Sequence, residues 1–346
     1  MRKIVVFESV RKVGFQEFDE EQLGEGQVRV KTLYSGISAG TELTNYRGQN
    51  AKLQKQWDSE SRLYLDSPAT SKSFPFMSEG YEEVGEIVEL GKKADKLKVG
   101  DLVCGGWGHW TTAVLSQDEA ETGRLPEGVE PITGIFVSIA RVALNGILDA
   151  QINLGETVAV FGLGVVGQIT AQLAKLSGAT VIGVDMIESR LRLCHEVGGV
   201  DVLINASELK AGEKIKELTG KKGADICIEC TGAAGALHEA IRACTYSSKV
   251  IAMGLIPVEG KGLFLGEEFH QNRINIVCSQ IFGINPGLRH RWNDTRLWRT
   301  VLTLMSQKKL RLNKLISHRF KFEEAAKAFE LIDKKPAETM EVVLTF

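Results

Sequence analysis

Three glycines, Gly162, Gly164 and Gly167, separate an apolar run, Val158-Ala-Val-Phe161, from a helical pattern that begins at Gln168. Each has a different job around a pyrophosphate. The first permits a tight turn, the second lets the phosphates approach the backbone, and the third lets helix and strand pack closely. Val165 and Val166 then stand where a helix N-terminus offers free N–H groups to an anion. A second apolar run, Thr180-Val-Ile-Gly-Val-Asp185, places a carboxylate 18 residues past Gly167. There Asp185 accepts hydrogen bonds from an adenosine ribose diol and repels a 2′-phosphate, which favours NAD over NADP. Met186 is not basic and agrees, whereas Arg190 is a nearby charge that pulls the other way.

Such a loop needs a sheet beneath it. From Pro131 the pattern is helical, and apolar runs at 157–161, 180–185, 201–204, 225–230, 248–253 and 274–279 then alternate with helical stretches. That alternation predicts an α/β architecture with a doubly wound parallel sheet. Upstream, residues 1–34 alternate as antiparallel strands do, and further strands are expected within 80–91, 99–104 and 107–114. The polar segment 49–73 between them reads as a helix plus a loop. Near the C-terminus come a helix, a strand around Ser317–Phe320, a helix over 322–334 and a terminal strand, Glu341–Phe346. A strand that follows a finished nucleotide domain has to pair elsewhere, and the N-terminal strands are the natural place. The expected division is therefore a β-rich domain of residues 1–135 and 284–346, with a nucleotide domain of 136–283 inserted.

Composition excludes several classes. The 346 residues exceed one ordinary core, and 43% apolar with 25% charged residues describes a globular α/β chain. A formal net charge of −2 gives no electrostatic reason for a nucleic-acid or anionic-membrane partner. No apolar run is expected to approach the length needed to span a bilayer, and the apolar stretch after Met1-Arg-Lys3 is too short for a signal segment. The six cysteines are scattered in apolar surroundings, as in a reduced, cytoplasmic protein. Cys227 and Cys230 have CxxC spacing but lie on a predicted core strand without a second pair. The basic, aromatic stretch Arg289–Arg299 reads as one solvated helix face.

This order resembles the medium-chain dehydrogenase/reductase superfamily over essentially the whole chain. The matching segments are Val99-Gly-Asp101, the glycine loop with Asp185, Gly223-Ala-Asp-Ile-Cys-Ile-Glu-Cys-Thr-Gly232, and Ile316-Ser-His-Arg-Phe-Lys-Phe-Glu-Glu-Ala325. The resemblance implies a Rossmann domain inserted into a β-rich, GroES-like catalytic domain, with the active site in the cleft between them and Thr231 beside the cofactor. It also implies a homodimer formed through the strand Ile274–Cys278. Zinc-dependent members hold a catalytic metal on three side chains, and all three positions differ here. Ser38 or Ala39 replaces the first ligand, Tyr81 replaces the histidine of Gly-His-Glu, and Val137 or Ser138 replaces the third. A tetrahedral zinc site is therefore not expected. The wording Ser-Gly-Ile-Ser-Ala-Gly-Thr-Glu42, with Phe-Pro-Phe76 and Gly-Tyr81, resembles a zinc-lacking branch that contains bacteriochlorophyllide dehydrogenase-like proteins.

Without a metal, the proton that accompanies hydride transfer must come from a side chain. Thr41 stands at the position of the relay hydroxyl of alcohol-oxidising relatives, set against an ordinary loop threonine. Tyr81 is a candidate acid, set against a tyrosine that fills the vacated metal volume. Glu82 matches a glutamate behind the metal of relatives, where it orients Tyr81 or acts as a base. His109, between Trp107 and Trp110, is the best imidazole candidate, set against a structural histidine. Tyr46, Arg47 and Arg141 are further candidates for lining a substrate site. The leading reading is a zinc-independent, NAD-dependent dehydrogenase of a secondary alcohol or ketone, such as a sugar or cyclic polyol. The alternatives are a quinone or enone reductase, and a nucleotide-binding protein without catalytic activity.

Overall fold

A computed structural model describes residues 1–66, 73–257 and 259–346. The chain forms two compact units. One contains residues 1–138 with 316–346, and the other contains residues 139–315.

In chain order the first unit holds strands β1 (Arg2–Ser9), β2 (Lys12–Phe18) and β3 (Gln27–Gly36), then the short helix α1 (Glu42–Tyr46). After these come β4 (Gln56–Asp58), β5 (Leu63–Leu65), β6 (Phe76–Met77), β7 (Glu83–Leu90), β8 (Leu102–Gly105) and β9 (Thr112–Ser116). Helix α2 (Gln117–Thr122) is closed by a Ser116/Glu119 capping box, and α3 (Phe136–Ala150) leads onward. The second unit alternates β10 (Thr157–Phe161), α4 (Val165–Leu176), β11 (Thr180–Asp185), α5 (Glu188–Glu196), β12 (Val202–Asn205) and α6 (Ala211–Leu218). It continues with β13 (Ala224–Glu229), α7 (Ala234–Ala243), β14 (Cys244–Ala252), β15 (Asn275–Cys278) and α8 (Asp294–Ser306). The chain then returns to the first unit with β16 (Ile316–Lys321), α9 (Ala325–Lys334) and β17 (Glu341–Thr345).

The second unit is a six-stranded parallel sheet in the order β12-β11-β10-β13-β14-β15. Its central strands are apolar on both faces because helices cover both sides; Val158, Ala159 and Val160 of β10 are wholly buried. The chain builds outward from β10 through β11 and β12 and then crosses to β13 on the other side. The loop after β10 therefore stands at the topological switch point, where nucleotides bind in sheets of this kind.

In the first unit the main sheet runs β16-β17-β3-β7-β8, with β9 also paired to β3. The terminal strand β17 lies antiparallel to β3, with Val343 opposite Gly36 and Leu344 opposite Ser35. That pairing brings the last residues of the chain to the loop that follows β3. Behind it Phe7 packs edge-on to Phe329, with ring centroids 5.2 Å apart, in a core that includes Tyr46, Phe76 and Phe322.

Three expectations are corrected. Residues 51–53 form only a 3-10 turn, and β4 and β5 make a hairpin with Trp57 against Tyr64 where a helix was expected; residues 67–72 of that segment lie outside the described residues. Residues 284–315 belong with the nucleotide unit. Helix α8 buries Leu297, Val301 and Leu302, Arg141 pairs with Asp294, and Arg311 N–H donates to Gln172 at 2.8 Å. Finally, the stretch Pro131–Ala150 is long and apolar enough to cross a bilayer, but most of it is buried as a core helix.

Candidate active site

The glycine loop has the geometry its spacing demands. Gly162 turns the chain at φ +86°, and its N–H donates to Val184 O at 2.8 Å. A Cβ there would lie 2.3 Å from the Thr231 methyl group, and one on Gly167 would lie 1.8 Å from the Gly162 carbonyl oxygen. Neither site accepts a side chain. Gly164 caps α4 without any side-chain bond, so the first-turn N–H groups around Val165 and Val166 carry no such cap.

Asp185 ends β11 and is 8% exposed. One carboxylate oxygen accepts from Leu163 N–H at 2.7 Å and the other from Ile187 N–H at 2.8 Å. The carboxylate is thus clamped in place by the backbone on both sides, with a lone pair on each oxygen still available. Arg190, on α5, brings its guanidinium within 3.9 Å of the point where a Gly164 Cβ would sit. The sequence reading missed Glu229. This wholly buried carboxylate at the end of β13 accepts from the N–H groups of Thr231, at 2.6 Å, and Gly232, at 3.1 Å, and from the Thr231 hydroxyl. Burial holds its pKa above the ordinary carboxylate range. The signal was available, since an acid closing an apolar strand before Thr-Gly has few solvated options.

In the first unit the hydroxyls named from sequence come together. Ser38 Oγ lies 2.5 Å from Tyr81 Oη, and Thr41 Oγ1 lies 3.4 Å from the same oxygen. Burial, and then the neighbouring Glu82 carboxyl, push the Tyr81 pKa well above its ordinary value, so Tyr81 keeps its proton. Glu82 is 1% exposed, and burial followed by repulsion from Glu42 and Glu83 raises its pKa strongly.

His109 is corrected. Its ring is 0% exposed and both nitrogens are engaged, Nε2 with Glu42 at 2.8 Å and Nδ1 with the Ser35 hydroxyl at 2.5 Å, so it presents no face to a substrate. Burial opposes its protonation, but Glu42 and Glu83 outweigh that and leave its pKa raised. Glu42 links this buried group to the hydroxyl cluster, because its other oxygen accepts from Ser38 N–H at 2.9 Å. Ser78 donates to Glu42 at 2.6 Å, and Ser35 donates to Glu83 at 2.9 Å. Glu42, Glu83 and Glu341 were not singled out from sequence. Tyr46 is a core residue, Arg47 pairs with Asp333 at 2.6 Å, and Trp107 is buried with its indole N–H donating to Thr32. Arg141 stacks on Trp298 and pairs with Asp294.

Residues 165–300 match the family model described as zinc-binding dehydrogenase. The chain is 29% identical over 353 residues to the D-guloside 3-dehydrogenase of Shigella flexneri, covering all of both chains. Among solved structures it is similar to a zinc-binding dehydrogenase from Sinorhizobium meliloti bound to NADP, at TM-score 0.79 and 22% identity over 100% of this chain and 99% of that one. It is also similar to an Escherichia coli protein described as a short chain alcohol dehydrogenase complexed with NADH, at TM-score 0.78 and 21% identity over 100% and 99%. At those identities the structural likeness establishes the fold.

The residues standing where zinc ligands would be expected do not fit that ion. Ser38 and Tyr81 present neutral hydroxyls bonded to each other, where a tetrahedral site needs thiolate, imidazole or carboxylate donors aimed at one point. Among the described residues, three such donors converge within 4.8 Å only at His238, Glu267 and Glu268, in the nucleotide unit. There the Arg242 guanidinium already pairs with Glu268 at 3.2 Å.

Proposed function

We propose that this chain, a member of the medium-chain dehydrogenase/reductase superfamily, is a zinc-independent, NAD-dependent oxidoreductase acting on a secondary alcohol of a sugar or cyclic polyol. The observation that carries the reading is the hydroxyl cluster of Ser38, Thr41 and Tyr81, which sets a proton-bearing phenol against two hydroxyls at positions where the resemblance expects metal ligands. When bound, the nicotinamide supplies or accepts the hydride.

The chain's own residues supply the rest. The glycine turn and the uncapped first turn of α4 hold the pyrophosphate, and Gly162 and Gly167 keep that space clear. Asp185, fixed by two backbone N–H groups, takes the ribose hydroxyls and disfavours a 2′-phosphate. Arg190 lies close enough to the loop to reach the phosphates. Tyr81 donates a proton to the carbonyl oxygen as the ketone is reduced, and takes it back when the alcohol is oxidised. General acid catalysis of this kind is worth roughly 10²–10⁴-fold. Thr41 and Ser38 orient the phenol and complete its hydrogen bonds. A homodimer formed through β15 fits the position of that strand at the end of its sheet, with Cys278 exposed there.

The substrate class is supported by the D-guloside 3-dehydrogenase relative, whose name places oxidation on a sugar ring. The test is a panel of glycosides, cyclic polyols and conjugated enones followed at the NADH absorbance band with metal-free protein. Alcohol-dependent NAD reduction is expected. Oxidation of NADH by enones alone, or tight NADH binding with no turnover, would replace this reading.

A further inference from the structure

Among the described residues of the first unit, two buried carboxylate oxygens have no hydrogen-bond partner, Glu82 Oε2 and Glu341 Oε1. Their side chains come from opposite ends of the chain and are 1% and 2% exposed. Both oxygens crowd the space above Gly36. A Cβ at that residue would lie 2.8 Å from the Glu341 oxygen and 3.1 Å from the Glu82 oxygen. The absence of a side chain at Gly36 is what admits the pair. The titratable groups that act on them are Glu42 and Glu83, both further carboxylates, with Tyr81 beside Glu82. The imidazole of His109 is committed to Glu42 and Ser35. No cation is set against either oxygen among the described residues, so two negative charges here would be uncompensated in an apolar setting. Carboxylates placed this way share a proton instead of both ionising.

We propose that Glu82 and Glu341 form a shared proton store that serves the Tyr81 hydroxyl through Ser38. The Ser38 hydroxyl is bonded to Tyr81 Oη, and the same residue opposes the rise in the Glu82 pKa, which sets Ser38 between the phenol and the carboxyl pair. The inference rests on the reading of Tyr81 as the acid. In alcohol oxidation the carbinol C–H bond breaks, with its electron pair passing to the nicotinamide. The O–H proton moves to Tyr81 Oη, the Tyr81 proton moves to Ser38 Oγ, and the Ser38 proton moves to Glu82. Tyr81 and Ser38 end neutral, and the carboxyl pair has gained the one proton released. Ketone reduction runs the same path backwards. Water reaching the Tyr81 face between turnovers restores the balance along the same oxygens. Glu341 acts through Glu82 and is a positioning residue.

Infrared difference spectroscopy on the free protein tests the store without any substrate. At neutral pH the wild-type protein should show the carbonyl stretch of a protonated carboxyl that is lost or shifted in Glu82→Gln and in Glu341→Gln, with thermal melts confirming that both variants fold. If no such band responds to either substitution, the store does not exist, even in an active dehydrogenase. In the active enzyme, Glu341→Gln should move the pH midpoint of kcat by about one unit while leaving KM for the alcohol near its wild-type value. Ser38→Ala should remove that pH dependence. A pH profile unchanged by both substitutions overturns the relay. A responsive band in a protein that oxidises no alcohol leaves the store standing and removes the dehydrogenase reading.

Discussion

Ser38 Oγ and Tyr81 Oη lie 2.5 Å apart, although 43 positions separate the two residues in the chain. Strand β3 ends just before Ser38 and strand β7 begins just after Tyr81, and those two strands pair directly, with Ser35 opposite Glu83. The hydroxyl pair is therefore set by the ladder beneath it and needs no loop rearrangement to form. A substitution at either residue changes the chemistry with little change in the scaffold.

Tyr81→Phe should lower kcat by roughly 10²–10³-fold, because it deletes the proton and keeps the ring. Ser38→Ala should cost less, about tenfold, since Thr41 still reaches the phenol at 3.4 Å. In both variants the Kd for NADH, measured by fluorescence titration, should match the wild type. Full turnover in Tyr81→Phe would place the acid elsewhere.

The metal question has a direct measurement. Protein purified and dialysed against a strong chelator should contain well below one equivalent of zinc and keep its turnover, because Ser38 and Tyr81 are not zinc donors. One equivalent of tightly held zinc, with activity lost on its removal and regained on its return, would end the zinc-independent reading.

The nucleotide unit was legible because its signals are local. Gly162, Gly164, Gly167 and Asp185 fall within one strand-helix-strand stretch, and at Gly162 and Gly167 a Cβ would run into neighbouring atoms. The hydroxyl cluster of the first unit was legible only in part. Thr41, Tyr81 and Glu82 were visible through the segments that carry them, but the fate of His109 was not. Its partners come from separate segments, Ser35 and Glu42 from a stretch of small residues that reads as a loop and Glu83 from one that reads as a strand, and nothing local says that they close around one imidazole. Glu341 was hidden for the same reason. Only the pairing of β17 with β3 brings it to Gly36, and a sequence does not state which strand a terminal strand will choose. The second domain boundary failed because α8 is amphipathic, and periodicity alone does not say against which unit a helix packs.

Asp185→Ala should separate two roles of one carboxylate. Loss of the ribose contacts should weaken NAD binding about tenfold and shift preference toward NADP, as measured by kcat/KM for each cofactor. Loss of the bonds to Leu163 and Ile187 N–H should also destabilise the nucleotide unit by about 1–3 kcal/mol, seen as a lower Tm. A lower Tm with unchanged cofactor preference would make Asp185 a structural clamp only.

The buried acids give stability a definite pH sign. Glu83 is wholly buried, and that burial pushes its pKa from an ordinary 4.5 up to about 7 against the opposing effects of His109 and Ser35. Between those two values the folded chain holds a proton that the unfolded chain has released. Stability is therefore greatest below about pH 4.5 as far as this group is concerned, and it is lost as pH rises through about 7. The gap corresponds to an order of magnitude of about 3 kcal/mol. Glu82 and Glu341, also raised, add to the loss with the same sign, and so does His109, whose raised pKa favours the charged form that Glu42 and Glu83 stabilise. Melting of the β-rich unit, followed by near-ultraviolet circular dichroism, should shift to lower temperature as pH rises from about 5 to about 8. Glu83→Gln, which cannot ionise, should flatten that slope. A Tm that climbs across the same interval in the wild type would mean that these carboxyls are ionised and compensated in the folded chain.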